Sequence, residues 1–123
     1  MEDIKLLKRI NVLCVEDEII VRLGLGRYLS RRCKAVYEAE NGKDGLERYK
    51  DHKPDVVITD IEMPVMNGLE MIDRILEIDG NQAIIITTAY DDNEHKSDRA
   101  CRNIIKPIDY DELVKAIIKC MKR

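Results

Sequence analysis

No apolar run in this 123-residue chain approaches the twenty or so residues a membrane-spanning helix requires. The opening stretch "MEDIKLLKRI" is too polar for a signal peptide. Positive charge is not in excess either. The formal net charge is −3, which leaves no basic footprint for nucleic acid and no patch for anionic lipid. Two histidines accompany four scattered cysteines, Cys14, Cys33, Cys101 and Cys120, with no CxxC pair, and that spacing argues against a zinc site. Without a secretory signal the thiols are expected to be reduced in a cytoplasmic protein, with Cys14 and Cys120 as small buried hydrophobes. Internal repeats, low-complexity tracts and Pro/Gly/Ser-rich linkers are missing as well. The chain therefore reads as one domain over 1–123, with 1–9 an extension before the first strand.

What is present is a core and a rhythm. With 45% hydrophobic and 37% charged residues the composition is that of a solvated globular domain with a real interior. Short apolar runs at 10–15, 35–39, 55–60, 83–87 and 103–106 read as five strands. Three of them are nearly continuous Val/Ile/Leu, as in parallel strands buried on both faces. Helical spacing appears between them at 18–31 (Val21, Leu25, Leu29), 42–52 (Leu46, Tyr49), 68–78 (Leu69, Ile72, Leu76) and 109–121 (Leu113, Ala116, Ile117, Cys120). Asn41-Gly42, Pro54 and Gly80 punctuate the pattern. This βα alternation predicts an α/β fold, a doubly wound parallel sheet with its ligand site beyond the carboxyl ends of the strands.

Charged groups gather at those ends. Glu16, Asp17 and Glu18 follow strand one, Asp60 ends strand three, Thr87-Thr88-Ala89 ends strand four and Lys106-Pro107 follows strand five. Two like charges about 4 Å apart repel by roughly 4 kcal/mol at an effective dielectric near 20. A cluster of Glu16, Asp17 and Asp60 therefore calls for a cation. Hard oxygen ligands without His or Cys point to Mg²⁺. A carboxylate beside Mg²⁺ can accept a phosphoryl group, Lys106 supplies positive charge for phosphoryl oxygens, and the Thr88 hydroxyl offers a hydrogen bond.

The chain resembles the receiver domain of two-component response regulators. The motifs that carry the likeness are Val15-Glu16-Asp17-Glu18, Asp60 through Gly68 (DIEMPVMNG), Thr88-Ala89 and Lys106-Pro107, and it extends from Ile10 to about Met121. The resemblance implies a flavodoxin-like five-stranded sheet of order 2-1-3-4-5 and a cytoplasmic, phosphorylation-activated switch. It implies Asp60 as phosphoacceptor and Mg²⁺ (or Mn²⁺) bound by Asp17, Asp60, Glu16 and the main-chain carbonyl of Glu62. Lys106 and Thr88 would act on the phosphoryl group, Thr88 swinging toward it, and Pro64, Gly68 and Pro107 would shape the loops. Glu62 and Tyr90 would stand where phosphoryl lifetime is tuned. The donor would be a histidine kinase or a histidine phosphotransfer protein, with output through protein contact, as a stand-alone regulator or as the receiver of a longer protein. Such a domain catalyses its own phosphorylation and dephosphorylation without being a turnover enzyme, and binds no nucleic acid or membrane itself.

The sequence departs from that family in places. Glu16 stands where Asp is usual. Asn103 replaces the aromatic residue whose ring reports phosphorylation. Only seventeen residues separate Thr88 from Lys106, and 91–103 holds just Ala100 and Cys101 as apolar members. The expectation is a fourth helix that is short and solvated, opening at Asp91 or Asp92, or else mobile and distorted. In the second case it would leave apolar sheet for an unknown partner or a second copy to cover through the 91–105 region. His95, within this polar run, reads as a solvated side chain. A receiver-like binding module that works without phosphate is the alternative these departures favour. A haloacid-dehalogenase-like phosphatase would want Asp where Glu62 stands. A flavin binder would want a phosphate loop where Glu16-Asp17-Glu18 would repel one.

Overall fold

Apolar runs lacking polar interruptions become the middle of a five-stranded parallel sheet in the computed structural model, which describes residues 2–122. The strands are β1 (Asn11–Val15), β2 (Ala35–Ala39), β3 (Val56–Thr59), β4 (Ala83–Thr88) and β5 (Arg102–Ile105), in the order β2-β1-β3-β4-β5. Every residue of β3 and β4 is buried, as continuous apolar strands inside a doubly wound sheet must be. The helices are α1 (Glu2–Leu7), α2 (Ile19–Ser30), α3 (Gly42–His52), α4 (Gly68–Ile78) and α5 (Tyr110–Lys122). The period of two in each strand divides the core into two layers. Val12, Cys14, Ile58, Ile85 and Ile104 pack with Leu25 and Leu29 of α2 and Leu113 and Ile117 of α5. Leu13, Val15, Val57, Ile84 and Ile86 pack with Leu46 of α3 and Met71, Ile72 and Ile75 of α4. Asn41 and Asn67 accept hydrogen bonds from the amides of Asp44 (2.8 Å) and Glu70 (2.9 Å), which starts α3 and α4 where the Asn-Gly pairs put them.

Three expectations are corrected. No α-helix forms between β4 and β5. The connection holds a single 3₁₀ turn, Asn93–His95, capped by Asp92, because the segment has no apolar stripe that an α-helix could bury. The sheet is not left bare at this place: Ile84 and Ile86 are fully buried, with Ala100 packed against their layer. The thiols are not all free. Cys101, at the entry to β5, is joined to Cys120 of α5 across 6.1 Å between Cα atoms, while Cys14 and Cys33 are free and buried. Within 1–9, the extension before β1, lies α1. It buries Leu7 and its Asp3 meets Lys122 at 2.6 Å.

Candidate functional site

The sheet order reverses between β1, which is flanked by β2, and β3, which continues to β4. Loops leaving these two strands diverge, and the crevice between them is where a doubly wound sheet presents ligands. Asp60 leaves β3 with its amide bonded to the Val15 carbonyl (3.1 Å), and its Oδ1 accepts from the Ile61 amide (2.6 Å). Thr59 Oγ1 donates to the Asp60 carbonyl at 2.8 Å. The backbone of Asp60, a residue only 6% exposed, is thus fixed at both its amide and its carbonyl, and one carboxylate oxygen is held by the Ile61 amide. Glu16, held by its amide on the Ala39 carbonyl and by Arg22 Nη1 on its own carbonyl (2.8 Å), points at the same spot. Carboxylate oxygens of Glu16, Asp17 and Asp60 lie within 4.8 Å of one another.

Lys106 enters from β5. Its amide bonds the Thr88 carbonyl (2.7 Å), and its Nζ reaches Glu16 Oε1 at 2.6 Å and Asp60 Oδ2 at 3.0 Å, with Glu18 more distant at 3.9 Å. The peptide bond joining Lys106 to Pro107 is cis. One ammonium therefore faces two buried acids. Burial pushes the Glu16 carboxyl up to about 7; Lys106 opposes the rise and the neighbouring Asp60 charge adds to it. Burial also works against the Lys106 ammonium, but its hydrogen bonds to Glu16 and Asp60 win and hold it above the ordinary lysine value. Glu16 Oε2 is buried without any hydrogen-bond partner. An orphaned acidic oxygen beside two further carboxylates offers the hard oxygen donors that suit Mg²⁺, so the donor set fits that ion.

The loop after β3 is shaped by close backbone approach. A Cβ on Gly68 would lie 2.0 Å from the Asp60 carbonyl oxygen, and the Gly68 amide bonds the Ile61 carbonyl at 2.8 Å. No other residue fits there. Gly42 of α3, expected only as part of a turn, is similarly constrained, its Cβ position 2.4 Å from the Met66 carbonyl oxygen. Between them the chain makes a three-residue turn: the Met66 amide bonds the Pro64 carbonyl at 2.8 Å and Val65 sits at φ 71°. That is a strained conformation for a β-branched residue. Thr88 is fully buried, its Oγ1 accepting from the Tyr90 amide at 3.2 Å.

Two residues have surroundings that the sequence did not foretell. Asn103 is no ring, and it brackets Ser97, accepting from its amide (3.1 Å) and donating to its carbonyl (3.2 Å). His95 is not solvated. Its side chain is 12% exposed, with Nε2 on Glu62 Oε1 and Nδ1 on Asp92 Oδ1, both at 2.7 Å, and Tyr90 stacked on the ring at 4.3 Å. The Asp92 hydrogen bond, joined by that of Glu62, holds the imidazole above its ordinary value. Arg22 was also missed, because a bond from a side chain to a main-chain carbonyl leaves no spacing signal.

Comparison with known proteins agrees with this geometry. The sequence profile of the response regulator receiver domain matches residues 12–118. The chemotaxis protein CheY of Thermotoga maritima is 36% identical over 117 residues, 91% of this chain and 98% of that protein. The sporulation initiation phosphotransferase F of Bacillus subtilis is 32% identical over 113 residues, 89% of this chain and 91% of that protein. The crystal structure of the response regulator protein TrrA from Thermotoga maritima in complex with Mg²⁺-BeF superposes with a TM-score of 0.79 at 32% identity, covering 89% of this chain and 97% of that one. No described helix is long and apolar enough to cross a membrane.

Proposed function

The chain belongs to the response regulator receiver domain family, whose members are phosphorylation-activated switches, and from that premise we propose that Asp60 is its phosphoacceptor. The observation that carries this reading is the shared ammonium of Lys106, which bridges Asp60 and Glu16 on the rim where β1 and β3 diverge. Mg²⁺, held by Asp17, Asp60, Glu16 and the Glu62 carbonyl, would supply charge neutralisation for phosphoryl oxygens. The Mg²⁺-BeF complex of TrrA supports that assignment by analogy. Asp60 presents a carboxylate oxygen whose direction is fixed by the Ile61 amide, so little reorganisation precedes attack on phosphorus. Lys106 turns from two carboxylates to the incoming phosphoryl oxygens, and Thr88, at the adjacent strand end, donates its hydroxyl to one of them. Pro64, Gly68 and Pro107 shape the loops that frame the acceptor, while Glu62 joins the acceptor's loop to the segment between β4 and β5 through His95. That segment is tied to Thr88 by the Tyr90 amide and to β5 by Asn103.

The donor is a protein phosphohistidine, from a histidine kinase or phosphotransfer protein. The exposed Ile19, Ile20 and Leu23 of α2, one turn from the acidic loop, offer it apolar surface. Added phosphate, about −1.5 to −2 in charge, biases the rim toward an active form. Intact-mass measurement after incubation with a small-molecule phosphodonor tests the assignment. A gain of one phosphoryl group that needs Mg²⁺ and disappears in Asp60→Asn is expected. No gain under any donor would instead favour a phosphate-independent binding module.

A further inference from the structure

Acceptance of a phosphoryl group at Asp60 makes no use of His95, yet no other side chain between β4 and β5 is held by so many partners. The segment 91–101 contains no buried residue. Within it the imidazole is nonetheless largely covered, gripped through both nitrogens and stacked under Tyr90. Asp92 performs two tasks with one oxygen, capping the 3₁₀ turn through the His95 amide (3.0 Å) and orienting the ring (2.7 Å). The far nitrogen then reaches 33 residues back in the chain, to Glu62.

Glu62 leaves β3 two residues after Asp60, and Tyr90 leaves β4 two residues after Thr88, to which its amide is bonded. β3 and β4 are hydrogen-bonded neighbours. The contact between His95 and Glu62, with Tyr90 stacked on the same ring, therefore ties the loop that follows the acceptor to the segment that follows the threonine. We propose that His95 is a positioning residue that clasps Glu62 to the connection between β4 and β5 and so prolongs the phosphorylated state. This rests on Asp60 being the acceptor.

Hydrolysis of an aspartyl phosphate joins a water oxygen to phosphorus as the bond from phosphorus to the Asp60 oxygen breaks. The electron pair returns to the carboxylate and the water proton leaves to solvent or to the released phosphate. In-line attack must come from the side opposite Asp60, which is above the rim. A closed clasp acts there twice. It holds Tyr90 and the 3₁₀ turn across the approach of water, and it occupies a carboxylate that could otherwise accept the proton of the attacking water. Both effects slow the reaction.

The experiment is to phosphorylate the chain with a small-molecule donor and Mg²⁺, remove the donor, and follow the loss of the phosphoryl group by intact mass. His95→Ala is expected to lose it about fivefold faster, the rate factor equivalent to one ordinary hydrogen bond. His95→Gln, whose amide can still meet Glu62, is expected to recover most of the lifetime. Adding Glu62→Gln to His95→Ala removes the freed base and is expected to slow the loss again. A purely structural contribution would not give that order, because neither Gln substitution restores the ring packing. An unchanged or longer lifetime in His95→Ala would overturn the proposal and leave His95 as an ordinary surface ion pair. Wild-type protein that takes up no phosphoryl group would overturn the acceptor assignment itself, and the clasp with it.

Discussion

Asp60 and His95 stand beyond adjacent strands of one sheet, and they are held by opposite means. Asp60 ends a strand in which Val56, Val57, Ile58 and Thr59 are all at most 1% exposed, between two strands equally apolar. Each such aliphatic side chain contributes roughly 1.5–3 kcal/mol of burial, so the acceptor rests on the most stable part of the fold. The connection carrying His95 has no buried residue. It is fastened by polar contacts: His95 to Glu62, Arg99 to Asp73, Lys96 to Asp91 and Asn103 to Ser97, with the link between Cys101 and Cys120 at its end. Exposed ion pairs are worth about 0–1 kcal/mol each and weaken in salt. A rim that must place a carboxylate to within fractions of an ångström is built from hydrophobic burial. A segment without an apolar stripe is built from polar contacts, which salt and solvent can weaken.

The sharpest break in this comparison should come from inside the rigid half. Lys106→Met leaves Glu16 and Asp60 buried together without their ammonium. A loss of about 3–5 kcal/mol is expected in urea unfolding of the metal-free protein at pH 8, with partial recovery on adding Mg²⁺. Next comes the acid pair itself. The raised Glu16 carboxyl means that the folded state holds more protons than the unfolded state between the ordinary value, 4.5, and about 7. Stability of the metal-free protein therefore falls as pH rises through that window, by roughly 3 kcal/mol at most. Glu16→Gln should flatten the slope. Gly68→Ala forces backbone apart where a Cβ would meet the Asp60 carbonyl, at a cost of about 1–3 kcal/mol in unfolding free energy. It should also reduce phosphoryl uptake by displacing the acceptor. The smallest effect belongs to the polar segment. Arg99→Ala, which releases Asp73, should change global stability by less than about 1 kcal/mol while raising amide exchange in 97–101.

What the sequence made legible follows the same division. Continuous runs at 55–60 and 83–87 could only be buried parallel strands, and the structure has them at Val56–Thr59 and Ala83–Thr88. The residues after each strand are fixed by topology alone, so Glu16, Asp17, Asp60, Thr88 and Lys106 could be brought to one rim on paper. Polar fastening carries no period. The partners of the β4–β5 connection lie far off in the chain, Glu62 at 33 residues from His95 and Asp73 at 26 from Arg99, and no local pattern announces them. The pairing of Cys101 with Cys120 depends on the start of β5 meeting the last turns of α5, and α1 depends on docking Leu7 and Asp3 against residues at the other end of the chain. The lack of an apolar stripe foretold a weak helix at 91–103, but not the 3₁₀ turn and the imidazole clasp that replace it.

Amide hydrogen exchange in the unphosphorylated protein, at low salt and again in about 1 M salt where the Debye length is near 3 Å, tests this division most directly. Amides of 56–59 and 83–88 should exchange only through global opening at both salt concentrations. Those of 92–100 should open locally and faster, and salt should accelerate them further. If 92–100 were protected as strongly as β3 and β4, and indifferent to salt, the segment would be part of the rigid core and the contrast drawn between the two halves of the rim would be wrong.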